Sequence, residues 1–330
     1  MQRQKPLRRR GQDLSFGLAS ILAATLLAFP SMLVAQPLQV NRDISGDQVT
    51  LSYSFQDLEQ TPQTLMVALP RQDLIRTPVV FRPLSPHRLL REVASIQRSY
   101  AEQQGWRDAK LTVANEQITY ELLRGDTANR AERMRSWQRA EADAYSTVFQ
   151  RHYYRHLRLH SGRRGYTPDH PRIAAESQSM LRPLSDALEQ VLSDTYGSYS
   201  PRDALAYLTH FIQQIPYDDF SDRLASPGAG YVTPGRLLYE NRGDCDSKVT
   251  LLAALMANLF PDIERRIVYL PGHAMFALDI EPDDNDIFVR DGEMEFVVAD
   301  PTGPAQLKVG EAGRAYQSHL RSGALTLLPI

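Results

Sequence analysis

The sequence predicts an α+β protein, and three observations carry that prediction. Strand-like alternation occupies both ends of the chain, helical spacing fills the middle, and the hairpin signal Asp291-Gly292 falls between two apolar runs near the C-terminus. Helices followed by strands that can pair with near neighbours belong to α+β rather than to alternating α/β architecture.

Residues 1–35 read as an export signal or an uncleaved N-terminal anchor. Arg3, Lys5, Arg8, Arg9 and Arg10 precede a run from Leu14 to Ala35 that carries no charge, and Ala35 supplies a small residue for cleavage. Basic residues on that side keep the N-terminus cytoplasmic, so either form places the rest of the chain across the membrane. The expected location is periplasmic or extracellular, with membrane contact only through this segment if it is retained. The whole chain has a formal charge of -2, and residues 1–35 remove five basic residues and one acidic one, leaving about -6. A mildly acidic surface argues against a nucleic-acid partner.

Residues 36–125 read as a small α+β module. "DQVTLSYSF" alternates Val49, Leu51, Tyr53 and Phe55, and "QTLMVALP" is a second strand. "HRLLREVASIQRSYAEQQ" has helical spacing, and "KLTVANEQITYELL" reads as two strands about a polar turn. Residues 126–200 read as helical. One long helix is expected over residues 127–159, and a second over residues 171–197 with a kink or break at Pro183.

Residues 201–330 are better punctuated. Ser200 and Pro201 occupy N-cap and N1 positions for a helix whose Leu205, Leu208, Phe211, Ile212 and Ile215 share a face. Thr233-Pro234 starts a second helix, and "GDCDSKVTLLAALMANLF" supplies a third. The strands "RRIVYLP", "HAMFALDIE", "IFVR" and "EMEFVVADP" close the segment.

Cys245 is the single cysteine, so no disulfide can form within the chain. It sits in the first turn of its helix, on a stripe with Val249, Leu252, Met256 and Leu259. The positive end of the helix dipole favours a thiolate there, Asp244 and Asp246 oppose it, and a further cationic partner is needed. A buried inert cysteine fits the same stripe. His273 opens one strand on a face with Met275 and Ala277, and Asp300 closes another on a face with Met294, Phe296 and Val298. Antiparallel pairing brings His273 and Asp300 opposite each other, under the Cys245 helix if that helix covers the same face. "IFVR" must then form a local hairpin or belong to the connection.

"GDCDSK" before an apolar helix, then "PGHAMFAL", then "VVADPTGP", together resemble the bacterial transglutaminase-like group of papain-fold cysteine enzymes. The resemblance covers roughly residues 201–304, and "QQIPYDDF" is similar to the segment before the nucleophile. It implies a papain-like core, with a helix bearing the cysteine on an antiparallel sheet, and a triad of Cys245, His273 and Asp300. The implied chemistry is attack on protein or peptide amide carbonyls through a thioester, with water or an amine as the acceptor. The Cys245 amide and one side-chain donor would hold the oxyanion. Tyr217 is the candidate for that donor, and an aromatic lid on a helix end is its plainer role. A non-catalytic binding or scaffold relative, and a cell-wall amidase or acyltransferase, are the alternatives.

No cofactor is expected. Exported relatives resembling this group hold calcium with acidic residues near the cysteine, which raises Asp244 and Asp246 as a calcium pair beside the simpler role of helix capping. "EPDDNDIFVRDGEME" fails the calcium-loop pattern, because Phe288 stands at a ligand position. His152, His156 and His160 have i, i+4, i+8 spacing for a metal-binding helix face, but the surrounding arginines favour a solvated basic helix end.

Overall fold

Alternating apolar residues near the start of the described residues build the first sheet. The computed structural model describes residues 37–125, 127–158, 160, 162, 164–221 and 230–330, so the expected export signal or anchor lies outside the described residues. Strands β1 (Gln39–Ser45), β2 (Gln48–Gln56) and β3 (Pro62–Pro70) form an antiparallel meander. Opposed pairs Val49–Leu69, Leu51–Val67 and Tyr53–Leu65 bury one face. The polar strand β1, which alternation does not mark, pairs along its whole length with β2 as an exposed edge.

Helix α1 (Arg71–Arg76) leads to α2 (Pro86–Gln103), where the Ser85 hydroxyl accepts the Arg88 N–H at 3.2 Å. The expected hairpin follows as β4 (Ala109–Ala114) and β5 (Gln117–Leu122), with Asn115 and Glu116 at positive φ in the turn. Helix α3 runs Thr127–His152, shorter than the sequence pattern suggests. Tyr153 takes a left-handed φ of 57°, and the chain turns into β6 (Tyr154–Arg158), paired with β7 (Arg164–Pro168). Aromatic packing favours a strand here over another helical turn: Tyr154 is buried and stacks on Phe81 at 5.4 Å. The three-histidine helix face is consequently not formed. His152 ends the helix against Glu92 at 2.8 Å, and His156 belongs to β6.

Helix α4 (His170–Tyr196) continues through Pro183, which lies on its exposed side. Water can solvate the carbonyl that the proline ring leaves unbonded, so no break is needed. Helix α5 (Pro201–Gln213) begins with a full capping box between Ser200 and Asp203. Helices α6 (Pro234–Glu240) and α7 (Cys245–Leu259) follow.

The C-terminal part supplies β8 (Arg265–Leu270), β9 (His273–Leu278), β10 (Phe288–Asp291), β11 (Met294–Ala299), α8 (Arg314–Ser322) and β12 (Thr326–Pro329). The strands form an antiparallel sheet in the order β10-β11-β9-β8-β12. Strand β10 is a local hairpin on the outer edge of β11, turned through Gly292 at positive φ, so β11 returns toward the His273 end. The β9–β11 ladder ends with Ala299 opposite Phe276, which places Asp300 at that end without setting it directly across from His273.

The face covered by the Cys245 helix differs from the sequence expectation. Val249, Leu252 and Met256 of α7 pack with Ala274, Phe276, Leu278 and Ala299, whereas Met275, Ala277, Phe296 and Val298 pack with Leu320 of α8. Both faces of this sheet are buried, so alternation along its strands does not say which helix lies where. The α7 cluster also takes in β1–β3, α4, α5 and α6, so one core extends from Leu38 to Leu328.

Leu252 is fully buried in that core, while Met66 is 63 % exposed. Leu252→Ala is expected to lower unfolding stability by about 2–5 kcal/mol. Met66→Ala should stay within about 0.5 kcal/mol. Urea midpoints at unchanged m-value check both.

Candidate active site

The first turn of α7 is anchored by backbone before any side chain acts. Tyr217 and Gly243 form an isolated parallel bridge: Gly243 N–H donates to Pro216 O and Asp218 N–H to Gly243 O, each at 3.2 Å. A side chain at Gly243 would collide with Leu237, its Cβ falling 2.6 Å from Leu237 Cδ1. Asp244 then caps the helix, as the sequence suggests, its carboxylate accepting the Ser247 N–H at 2.9 Å and the Ser247 hydroxyl.

Cys245 is partly buried, and the Ala274 backbone amide, next to His273, lies against its sulfur. His273 and Asp300 come together as the sequence predicts, with Nε2 and Oδ2 at 2.9 Å and both side chains buried. The other Asp300 oxygen accepts the Thr302 N–H at 3.0 Å. Burial alone would raise the Asp300 carboxyl, but these bonds from His273 and Thr302 outweigh it and hold the group below its ordinary range. A carboxylate bound to Nε2 leaves Nδ1 as the nitrogen available to a second partner.

The thiol is held protonated. Burial pushes it well above its ordinary value, and the charges of Asp246 and Asp244 add to that. The dipole of α7 does not reverse this. Tyr217, the oxyanion candidate, is half exposed beside the helix start, and burial followed by the field of Cys245 raises its hydroxyl.

Four further groups, which the sequence did not single out, complete the site. Tyr316 of α8 stacks on the His273 ring at 4.2 Å and 15°. Gln213, the last residue of α5, donates through Nε2 to Asp300 O at 2.8 Å and Leu307 O at 2.9 Å. The loop after Asp300 approaches so closely that a Cβ at Gly303 would lie 2.2 Å from Gln213 O, and only glycine fits. His170 reaches Asp246, with Nε2 and Oδ2 at 3.9 Å. Lys248, fully buried, donates from Nζ to Ile215 O and Thr302 O, joining the segment before Tyr217 to the loop after Asp300. A lysine within an apolar helix was the available signal for that role; nothing near Tyr316 or His170 in the sequence marked either.

Neither a family model nor a curated protein matches the chain.

Asp244 is engaged in capping, and Asp246 faces Cys245 and His170. Among the described residues no group of three or more His, Cys, Asp or Glu side chains is placed to hold a metal ion. Among the same residues, no helix is long and apolar enough to cross a membrane.

Burial lowers the Lys248 amine to about 7, against the opposing charges of Asp300 and Asp244. A neutral amine has two N–H donors, which match the two carbonyls it meets. Between about pH 7 and 9 the unfolded chain therefore binds more protons at this lysine than the folded one does, so its contribution makes stability rise with pH. Lys248→Met is expected to flatten that rise and to lower stability by roughly 1–3 kcal/mol for the two orphaned carbonyls. Urea unfolding at a series of pH values measures both effects.

Proposed function

We propose that the chain is an exported thiol enzyme of the transglutaminase-like kind, acting on protein or peptide amides through Cys245, His273 and Asp300. The observation that carries this reading is the buried His273–Asp300 hydrogen bond, at 2.9 Å, with the amide of the next residue, Ala274, against the sulfur of Cys245 at a helix N-terminus. Because the resting thiol is protonated, His273 acts as a general base during attack rather than as the partner of a preformed thiolate. As the sulfur bonds to the amide carbon, its proton passes to His273 Nδ1, and Asp300 supports the imidazolium. The Cys245 amide, at a helix position without an intrahelical acceptor, faces the developing oxyanion, with the Tyr217 hydroxyl as a second donor. Collapse of the tetrahedral adduct breaks the C–N bond. His273 returns the proton to the departing amine, and a thioester remains on Cys245. Water then yields a carboxylate, as in a protease or amidase, and an amine yields a new amide, as in a transglutaminase. Either step regenerates the thiol.

The raised thiol favours one competing reading, a non-catalytic binding or scaffold protein in which Cys245 is structural. The two separate cleanly. As an enzyme, the Cys245→Ala chain loses hydrolysis or amine incorporation across a panel of casein-derived peptides while its melting temperature stays within a few degrees, and His273→Ala lowers turnover by about a hundredfold or more. Wild-type chain that shows neither reaction, with His273→Ala leaving Cys245 alkylation unchanged, would remove the enzyme reading.

A further inference from the structure

The triad leaves unused a second line of polar groups that begins at the same sulfur. The Cys245 S–H donates to Asp246 Oδ1 at 3.6 Å, and the other oxygen of that carboxylate faces His170 Nε2 at 3.9 Å. His170 opens α4, 75 positions before the cysteine, and is 1 % exposed. Its Nδ1 is hydrogen-bonded to the Tyr269 hydroxyl on β8, and its Nε2 has no hydrogen-bond partner. A carboxylate facing Nε2 favours the ring tautomer with its proton on that nitrogen, which leaves Nδ1 to accept the Tyr269 hydroxyl. Burial keeps this imidazole neutral by lowering its affinity for a second proton, against the pull of Asp246 and Asp169.

We propose that Asp246 is the resting acceptor of the Cys245 proton and that His170 is the positioning residue that holds its carboxylate in place. This deepens the thiol-enzyme reading and rests on it. In the resting chain the S–H points to the Asp246 carboxylate, and attack requires the same proton to go to His273 instead. The His170 Nε2–H, facing the carboxylate at 3.9 Å, draws part of its charge away from the sulfur through its dipole, so the contact is loose enough to break when a substrate arrives. Other charged groups face the same region. Asp244 and Lys248 come from α7, Tyr217 from the bridge segment, and Arg155 and Asp169 lie beside His170. None of these makes a hydrogen bond to the sulfur in place of Asp246 among the described residues.

The test is the rate of Cys245 alkylation by iodoacetamide on the full chain, followed by mass spectrometry across about pH 6 to 9, where a free thiol begins to ionise. Asp246→Asn, which keeps the shape and removes one charge beside the sulfur, is expected to raise the rate at pH 7 by about tenfold. His170→Ala should slow it by about threefold, because the undivided carboxylate then opposes ionisation more strongly, and His170→Gln, which retains an N–H donor, should recover most of that loss. In the Asp246→Asn background His170→Ala should have no effect, the coupling a purely structural histidine would not show. Equal effects of His170→Ala in both backgrounds, or an unchanged rate in Asp246→Asn, would overturn the proposal. If His170→Ala does not fold, Asp246→Asn and His170→Gln decide alone, since the Asp246 side chain is partly exposed. His273→Ala, run alongside, reports separately on the catalytic reading: no change there with the Asp246–His170 coupling intact removes the catalytic reading and keeps the resting contact.

Discussion

Helix α7 must be dry on every side. Buried apolar residues run round the whole cylinder, from Val249 and Leu252 through Leu251, Ala254 and Leu255. A helix of that kind cannot rest on a surface; it needs partners all round. Here α4, α5, α6 and β9 provide them. Those same elements bring His170 from the start of α4, Gln213 from the end of α5 and His273 from the start of β9. Burying the helix and gathering polar groups about its first turn are thus one packing problem with one solution.

The cost of that solution lies in the polar groups taken out of water with it. Asp300 offsets its desolvation with bonds from His273 and Thr302, and Asp244 with bonds from Ser247, though it remains raised, by burial first and then by Asp246. Lys248 offsets its own by giving up its charge near neutral pH and filling two carbonyls. Cys245 receives no comparable compensation. The uncompensated electrostatics of the site therefore fall on the sulfur.

Much of this was legible in the sequence where the signal was local. The N-cap at Ser200, the hairpin at Asp291-Gly292 and the cap at Asp244 each depend on neighbouring residues, and each forms. The His273–Asp300 pairing was legible because both residues lie at strand ends that a hairpin in β10 and β11 brings back together. What failed was any inference needing an inside and an outside. Strands β8 and β9 are buried on both faces, so their alternation separates two sets of residues without saying which set meets α7. Strand β6 was hidden for another reason: its helical periodicity continues that of α3, and burial of Tyr154 on Phe81 overrides it. Partners such as His170 and Tyr316 are distant in sequence and carry no local pattern of their own.

The stacking of Tyr316 on His273 has a mechanical consequence. With a phenol parallel to one side of the ring at 4.2 Å and Asp300 gripping Nε2, the imidazole is held in plane and along one edge. Rotating about its Cβ–Cγ bond would break the hydrogen bond and drive the ring into the phenol. The histidine is the fixed jaw of the site, and the thiol, swinging about its single Cα–Cβ bond, is the moving one.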